Sequence, residues 1–465
     1  MNSTTKKLCL KEALAAARET RALEIGTNNL GITPRIFSEQ FGDKTAVIVT
    51  DKHTWDVAGE KVFAAFSLAK QPMEKPFIFD DPDLYAEFRF VEQLEASLKK
   101  HSAIPVAVGS GTINDLTKLA SHRTQRPYMC VATAASMDGY TAFGASITYK
   151  GSKQTFLCPA PTAVIADLKI ICNAPGKMNA WGYADLISKV TAGADWILAD
   201  TLRAEAIDPQ SWNIVQGRLR ESIADAAGVQ ARNPLAIGQL VEGLMLGGFA
   251  MQSSKSSRPA SGAEHQFSHL WDMQHHTHNG AAPSHGFKVG VATLAVTALY
   301  EYLLEQPLEK LDVERCCENW PDEKAQEAAV RKLFAKDDFA DKAVEETLAK
   351  DSKREKLREQ LLILQSDWPQ LKNKLREQLL PFSDLKGMLQ AVGAPISPEE
   401  IGISRERLRA SFQMAYHIRR RFTILDVVVR AGILERALEN IFGPNGAWPT
   451  SRSTAFTPLQ PATTE

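Results

Sequence analysis

Six of the ten histidines in this 465-residue chain fall within 21 residues, at positions 265, 269, 275, 276, 278 and 285. His265 and His269 are four residues apart, so on a helix they lie on the same face. His285 is followed by a glycine, which permits a close turn before the next helix. Because neutral imidazole is a good ligand for divalent transition metals, we expect His265, His269 and His285 to converge on one centre. The other three lie in a polar stretch and are expected to be solvated loop residues.

Asp185 is the best candidate for a carboxylate that would complete a metal site. It lies in the segment 175–189, where a helix is expected to begin just upstream and the neighbouring residues are apolar. An aspartate on an apolar helical face is costly unless it is paired or bound to a metal. Two histidines and one carboxylate would leave positions open for substrate. Whether Asp185 meets the histidines depends on the fold.

A glycine-containing turn follows a strand-like run that ends near residue 108. Its candidate cofactor contacts are Gly109, Ser110, Gly111, Thr112 and Ile113. Glycine lets backbone amides approach a phosphate closely, and the helix expected to begin near Ile113 offers its positive end to negative charge. The turn departs from GxGxxG at its last glycine, and paired glycines in such turns also occur for steric reasons alone.

Polar side chains near this turn could contact a cofactor or a substrate. Thr133 and Ser136 belong to a hydroxyl-rich loop that is suited to cofactor contacts, and Asp138 suits a substrate hydroxyl better than a phosphate. Asp51 ends another expected strand. Its carboxylate could accept hydrogen bonds from a cofactor ribose, or it could cap the turn that follows.

Composition indicates an ordinary globular protein, with 44% hydrophobic and 23% charged residues and a formal net charge of -1. This charge provides no basic field for nucleic acid or an anionic membrane surface. The sequence has no uninterrupted run of about 18 apolar residues, so no membrane-spanning helix is predicted. The six cysteines are not spaced as in a disulfide-rich secreted domain. These features favour a cytoplasmic protein, in which any anionic substrate must be captured locally.

Strand-like runs alternate with helical patterns in the first part of the chain, which predicts a parallel sheet with helical crossovers. After about residue 170 the apolar residues recur at helical spacing. We therefore predict an α/β nucleotide-binding domain over 1–170, an all-helical metal- and substrate-binding domain over 171–442, and a flexible tail over 443–465. The segment 321–381 is rich in charged residues and is interpreted as a solvated helical insertion.

Several motifs together resemble the bacterial branch of the sn-glycerol-1-phosphate dehydrogenases. They are Gly-Ser-Gly-Thr-Ile-Asn-Asp at 109–115, Ser-Met-Asp-Gly-Tyr at 136–140, Lys-Met-Asn-Ala-Trp-Gly-Tyr-Ala-Asp at 177–185, Ser-Arg-Pro-Ala-Ser-Gly-Ala-Glu-His-Gln-Phe-Ser-His at 257–269 and His-Gly at 285–286. The resemblance places the chain in the superfamily of iron-containing alcohol dehydrogenases and dehydroquinate synthases. It implies the same two-domain fold, with the active site in the cleft between the domains.

The resemblance also implies roles for individual residues. Asp185, His265 and His285 match the ligands of one divalent metal, zinc or nickel, whereas His269 and Asp138 match substrate contacts. The positions 109–113 and 133–136 match contacts to NAD or NADP. Family members often carry a cofactor-contacting serine where this chain has Ala142, so the choice between NAD and NADP stays open.

The implied reaction is the reversible reduction of dihydroxyacetone phosphate to sn-glycerol 1-phosphate by NADH or NADPH, in a homo-oligomer that is a dimer or larger. The metal would act as a Lewis acid on the ketone. Alternatives on the same scaffold are a dehydroquinate synthase-like cyclisation, a polyol dehydrogenase and a non-catalytic binding protein. The motifs at 136–140 and 258–262 favour the glycerol-phosphate branch over the cyclase.

Overall fold

A computed structural model describes residues 8–150, 152–350 and 353–450. The strands are β1 (Ala22–Gly26), β2 (Ala46–Asp51), β3 (Phe77–Phe79), β4 (Ile104–Gly109), β5 (Met129–Ala132), β6 (Ala145–Tyr149), β7 (Ser152–Phe156) and β8 (Ala163–Asp167). Six of these strands form a parallel sheet in the order β1-β8-β5-β4-β2-β3, and β6 and β7 form an antiparallel hairpin. The central strands β4, β5 and β8 are buried along their whole length, as expected where helices cover both faces of a parallel sheet.

Apart from the first helix, which precedes β1, the helices of this first part lie between the strands. They are α1 (Leu10–Ala16), α2 (Thr33–Phe41), α3 (Lys52–Thr54), α4 (Glu60–Leu68), α5 (Phe88–Leu98) and α6 (Gly111–Arg123), with a π-helical turn at Trp55–Gly59. The chain leaves β2 toward the edge strand β3 but leaves β4 toward β5, on the other side. The strand order therefore reverses between β2 and β4. In open α/β sheets, ligands bind at the carboxyl ends of the strands at such a reversal.

Helices make up the rest of the chain as far as the structure describes it. They are α7 (Leu168–Asn173), α8 (Gly176–Ile187), α9 (Lys189–Thr201), α10 (Pro209–Gln216), α11 (Leu219–Ser222), α12 (Ala226–Gln230), α13 (Pro234–Ser254), α14 (Ala263–Met273), α15 (His285–Leu304), α16 (Val313–Glu318), α17 (Glu323–Leu333), α18 (Ala340–Lys350), α19 (Arg354–Gln378), α20 (Phe382–Val392), α21 (Arg405–Ala415), α22 (Ile424–Arg430) and α23 (Leu434–Phe442). The architecture confirms the predicted fold class. The predicted boundary near 170 falls within α7.

Two of these helices, α13 and α15, are long and apolar enough to cross a membrane. Their most apolar windows are 72% and 83% buried inside the protein, so they serve as core helices here. Each packs against α8. The start of α15 approaches α8 so closely that a Cβ at Gly286 would lie 2.0 Å from the Trp181 carbonyl oxygen. Only glycine permits this approach, which places His285 beside α8.

The prediction of a solvated insertion over 321–381 is wrong in one respect. The segment is helical, but one face of α19 is buried. Its buried apolar side chains are Leu357, Leu361, Leu364, Trp368, Leu371 and Leu375, which recur every three or four residues. This face packs against α9, so the helix is part of the core. The abundant charged residues around the leucines hid this stripe in the composition.

The predicted flexible tail over 443–465 also needs correction. Trp448 is 3% exposed, its ring packs edge-on against Phe382 at 5.5 Å, and its amide donates to the Ile441 carbonyl at 3.1 Å. Residues 443–450 are therefore packed onto the helical domain, because one large aromatic ring outweighs a glycine- and proline-rich context. Residues 451–465 lie outside the described residues.

Candidate metal and cofactor site

Asp185, His265 and His285 come together from three different helices, α8, α14 and α15. Each offers one ligand atom, and these atoms lie within 4.8 Å of one another. Among the residues that the structure describes, it is the single group of at least three histidine, cysteine or acidic side chains that meets this criterion. One carboxylate oxygen and two imidazole nitrogens are donors that suit a divalent transition metal. The residues present therefore fit a metal ion.

The electrostatics of the histidines also suit a metal site. Burial lowers the pKa of His265, His269 and His285 well below the usual value, so the rings are neutral near pH 7. The Nδ1 atom of His265 lies 2.8 Å from Oε1 of Glu264. Because a carboxylate accepts this contact, the ring proton sits on Nδ1 and leaves Nε2 available, 3.8 Å from Oδ1 of Asp185.

Glu264 itself is fully buried and held by several donors. Its Oε1 accepts from the Gly262 amide at 2.6 Å, and its Oε2 accepts from the Thr191 hydroxyl at 2.9 Å. Burial raises the pKa of Glu264. A carboxylate that is fixed at two oxygens cannot follow a moving ring, so it holds the His265 imidazole in one orientation.

Lys189 lies fully buried between two carboxylates. Its Nζ is 2.7 Å from Oδ1 of Asp185 and 2.9 Å from Oδ2 of Asp138. Burial alone would raise the pKa of Asp185, but the charge of Lys189 and its hydrogen bond hold it below its usual value. Burial and the Asp185 carboxylate raise the pKa of Asp138 to about 6, although Lys189 opposes this change. The lysine thus stabilises a charged metal ligand beside a second acid.

Asp138 joins the sheet half of the cleft to the metal site. Its backbone amide donates to Oδ2 of Asp185 at 3.0 Å. His269 lies in the same pocket, with its ring centroid 6.4 Å from that of His265 and 6.3 Å from that of His285, but it is outside the ligand group. The structure therefore brings both predicted substrate contacts, Asp138 and His269, to the edge of the candidate metal site.

Of the remaining three histidines of the cluster, His276 differs from the expectation of a solvated loop. His275 and His278 are at least partly exposed, but His276 is buried. Its Nε2 lies 2.7 Å from the Ile401 carbonyl oxygen and its Nδ1 lies 2.7 Å from a guanidinium nitrogen of Arg407. These contacts make His276 a structural residue that links the loop to the C-terminal helices.

The turn at 109–113 lies at the carboxyl end of β4, at the reversal of strand order. Ser110 precedes α6, which begins at Gly111, two residues earlier than Ile113. A Cβ on Gly109 would lie 2.5 Å from Cβ of Ile113, so this glycine is required for packing. At Gly111 an added Cβ would meet the flexible end of Met137 at 2.7 Å. Thr112 lies in the first turn of α6, whose amide groups point toward the cleft edge.

The hydroxyl-rich loop follows the neighbouring strand β5. The Thr133 amide donates to the Gly109 carbonyl at 3.1 Å, so the loop begins beside the glycine turn. The Ser136 hydroxyl lies 3.4 Å from the hydroxyl of Tyr140. Further along, Lys118 donates to three carbonyls of this loop, those of Gly139, Ala142 and Gly144. The buried Lys118 thus holds the loop in place through its backbone.

Asp51 ends β2, on the other side of the reversal. Its Oδ1 accepts from the Thr54 amide at 2.8 Å, and the Thr54 hydroxyl accepts from the Asp51 amide at 3.2 Å. The capping alternative is therefore present in the structure. The position at the carboxyl end of β2, beside β4, is also the place where a ribose contact would lie.

Sequence reasoning missed two residues of the candidate site, Lys189 and Glu264. A signal was present for each. Lys189 stands four residues after Asp185, which places both on one helix face, and Glu264 directly precedes His265. A buried acid or base next to an expected ligand is a candidate for its partner.

Comparison with known proteins gives consistent results. A family model described as iron-containing alcohol dehydrogenase matches residues 24–175. The chain is 35% identical over 285 residues to the glycerol-1-phosphate dehydrogenase [NAD(P)+] of Halalkalibacterium halodurans, covering 61% of this chain and 71% of that one. It is 30% identical to the enzyme of the same name from Bacillus licheniformis, over 89% of both chains. Its fold matches a glycerol dehydrogenase structure from Schizosaccharomyces pombe with a TM-score of 0.57, 15% identity and 90% coverage of each chain.

Proposed function

The chain belongs to the glycerol-1-phosphate dehydrogenases, within the iron-containing alcohol dehydrogenase family, and we propose that it reduces dihydroxyacetone phosphate to sn-glycerol 1-phosphate with NADH or NADPH. The reaction is reversible. The observation that carries this proposal is the convergence of Asp185, His265 and His285 from three helices onto one point. Three ligands leave coordination positions for a substrate oxygen, which is the pattern of a catalytic site.

The metal is a divalent cation, and we propose zinc or nickel. When bound, it would supply a Lewis acid for the ketone oxygen. The chain's own residues prepare the site for that chemistry. Glu264 keeps Nε2 of His265 available, and Lys189 keeps Asp185 charged while it also holds Asp138. These buried contacts fix the ligands before substrate arrives.

Residues of the helical half, together with Asp138, would hold the substrate, and residues of the sheet half would hold the cofactor. We propose that Asp138 binds a substrate hydroxyl and that His269 contacts the substrate beside the metal ligands. The carboxyl edge of β2, β4 and β5 would hold the cofactor, with the start of α6 near its phosphates. When bound, the cofactor would supply the hydride. Proposed cofactor contacts are Asp51, Gly109, Ser110, Gly111, Thr112, Ile113, Thr133 and Ser136.

The test measures oxidation of NADH and NADPH with dihydroxyacetone phosphate. Protein stripped of metal is reloaded separately with zinc and with nickel, and the product is assigned as the 1- or 3-phosphate by chiral analysis. The expected result is metal-dependent oxidation that Asp185→Asn abolishes. The matched control Asp341→Asn removes an exposed carboxylate of a surface ion pair and should leave the rate unchanged.

Other outcomes contradict the proposal in distinct ways. A loaded enzyme that binds cofactor but is silent toward dihydroxyacetone phosphate would make the substrate wrong. Turnover that regenerates NAD instead of consuming one equivalent of reduced cofactor would indicate a cyclase. Activity that survives metal removal and Asp185→Asn would remove the metal site from the mechanism.

We propose that the chain forms a homo-oligomer, a dimer or larger, and that it acts in the cytoplasm on a small phosphorylated molecule. We also propose that the nucleotide-binding domain ends near residue 170, within α7. Light scattering coupled to gel filtration tests the first, and cell fractionation tests the second. Expression of residues 171–450 alone, assayed for metal binding, tests the third.

A further inference from the structure

A short irregular segment between α21 and α22 borders the helix that carries the metal-site histidines. Arg421 in this segment donates to the Ser261 carbonyl at 2.6 Å and to the Ser257 hydroxyl at 2.9 Å. Its own carbonyl accepts from Gln266 on α14 at 3.3 Å. Because Gln266 directly follows His265, the segment is fixed alongside the candidate site.

The neighbouring arginines Arg258 and Arg420 have hydrogen-bond or ion-pair partners. Arg258 donates to the carbonyls of Phe422 and Asp195 at 2.9 and 2.8 Å. Arg420 forms ion pairs with Glu345 and Glu346 on the outer side. The structure shows no hydrogen bond or ion pair from Arg419 to any residue in the ranges it describes.

The charge of Arg419 influences the pKa values of histidines in the candidate site. After burial, it is the largest influence that lowers the pKa of His269, and it also lowers the pKa of His265. Burial and Arg419 together lower the pKa of Arg421 to about 9. The one nearby acid that acts on Arg419, Glu346, is already bound to Lys342 and Arg420. A partly exposed guanidinium that has no partner among the described residues and lies near another cation is able to take an anion as its partner.

A second cation faces the same helix from the sheet half of the protein. Lys153 lies on β7, which packs against α14. Within the described part of the chain, no hydrogen bond or ion pair from Lys153 is present. Its charge lowers the pKa of both His269 and His285, so it acts on the same pocket. It also acts on Asp115 and Asp272, but Asp115 already accepts from the Ser146 amide and the Asn114 side chain, and Asp272 is paired with Lys288.

We propose that Arg419 and Lys153 bind the phosphate group of the substrate beside His269, from opposite sides of the cleft. The proposal rests on the proposed function and adds the residues that select a phosphorylated substrate. A guanidinium can donate two parallel hydrogen bonds to a phosphate, and an ammonium adds a point charge. Because the two cations belong to different halves of the protein, the phosphate would join those halves around the reacting carbon. The net charge of the whole chain is -1, so such local capture is necessary.

The experiment uses the metal-loaded full-length enzyme and compares Arg419→Met, Arg419→Lys and Lys153→Met with Arg420→Met as the matched control. We expect the ratio of kcat/KM for dihydroxyacetone phosphate to that for dihydroxyacetone to fall about 10- to 100-fold in Arg419→Met, mainly through KM. Inhibition by inorganic phosphate should weaken by a similar factor. Arg419→Lys should recover part of the loss, and Arg420→Met should show none.

The outcomes separate this inference from the proposed function. An equal loss of kcat/KM for both substrates would mean a structural role for Arg419 and would overturn the inference. A rise in the KM of NADPH or NADH instead would assign the cation to a cofactor phosphate and overturn it as well. If the wild-type enzyme is silent toward dihydroxyacetone phosphate, the proposed function fails. Calorimetry with inorganic phosphate then tests the phosphate site. Loss of phosphate binding in Arg419→Met supports the inference, and absence of phosphate binding to the wild-type enzyme overturns it.

Discussion

The helical wall of the cleft is built from side chains, whereas the opposite edge is built mainly from backbone. On the helical wall, Asp185 and His265 are oriented by buried charged partners, and Nδ1 of His285 lies 3.4 Å from the Ser268 hydroxyl. On the sheet edge, the glycine turn at 109–113 offers amide groups and packs its first glycine against Ile113. Replacing a ligand removes the chemistry of the first region directly. Replacing a turn residue acts on the second region only through shape.

The largest effect is expected from His265→Ala, which removes a metal ligand. We expect kcat/KM to fall about 10³-fold or more, because both metal affinity and Lewis-acid stabilisation are lost. His269→Ala should retain the metal and act mainly on KM, because its ring lies beside the ligand group and outside it. Metal content by elemental analysis and steady-state kinetics distinguish the two variants.

The exposed loop histidine provides the control for this pair. His275→Ala should change neither metal content nor rate, since its side chain is half exposed. If His269→Ala loses metal as completely as His265→Ala, then His269 is a ligand and the assignment of the third ligand position is wrong.

The second effect concerns the partner of a ligand. Glu264→Gln replaces a charged acceptor of the His265 ring with a neutral one of the same size. We expect metal affinity to fall about 10- to 100-fold, as for other buried partners of ligating histidines. Competition with a chromophoric chelator measures this affinity, and the visible spectrum of a cobalt-loaded sample reports the ligand geometry.

Glu355→Gln makes the same chemical change at an exposed position of α19 and should have no effect. If Glu264→Gln binds metal with wild-type affinity and gives the wild-type cobalt spectrum, the carboxylate has no positioning role. The wall would then depend on its three ligands alone.

The third effect concerns the glycine turn. Gly109→Ala forces a Cβ against Ile113, and such overpacking costs about 1–3 kcal/mol. We expect a lower melting temperature and weaker cofactor binding. Gly111→Ala meets only the flexible end of Met137, so it should keep its stability, and any rise in cofactor KM would then report a lost backbone approach.

Gly387→Ala is the matched control, because that helical glycine has no atom within 4 Å of an added Cβ. It should retain both stability and cofactor KM. If Gly109→Ala loses stability while the cofactor KM is unchanged in both turn variants, the glycines serve packing alone and the phosphate assignment is wrong.

The difference between the two regions also explains what could be predicted from the sequence. Asp185, His265 and His285 could be identified because their residue types carry the chemistry, and the family motifs singled them out. The division into a half with a parallel sheet and a helical half could be predicted from the change in the spacing of apolar residues along the chain. The sequence could not show whether the glycines of the turn bind a phosphate, because a glycine required for packing and a glycine required for phosphate binding look the same in a sequence.

Other features could not be predicted because they depend on tertiary contacts. Arg419, Arg420 and Arg421 are adjacent and identical in type. Arg419 has no hydrogen bond or ion pair within the described residues, whereas Arg420 pairs with the exposed Glu345 and Arg421 donates to the backbone. The buried leucines of α19 were hidden within a highly charged composition. Lys153 lies on the hairpin of β6 and β7, which was not predicted. Its position near α14 could therefore not be predicted from the sequence.

The smallest effect is expected at Asp51, where the structure shows the capping contact and the ribose contact stays a proposal. Asn caps a helix as well as Asp, so Asp51→Asn keeps the cap, whereas Asp51→Ala loses about 1 kcal/mol. We expect Asp51→Asn to raise the KM for NADH about 3- to 10-fold, because a ribose hydroxyl then meets a neutral acceptor. The KM for NADPH should rise less, since a carboxylate at this place disfavours the extra phosphate.

Kinetics with both cofactors and thermal unfolding of the same samples separate the two roles of Asp51. Asp322→Asn, which changes an N-cap far along the chain, controls for the substitution itself and should leave both KM values unchanged. If Asp51→Asn leaves the KM of NADH and of NADPH unchanged while only Asp51→Ala loses stability, Asp51 is a cap alone. The nucleotide edge would then contain no acidic ribose contact at β2, and cofactor choice would depend on the backbone and on the loop after β5.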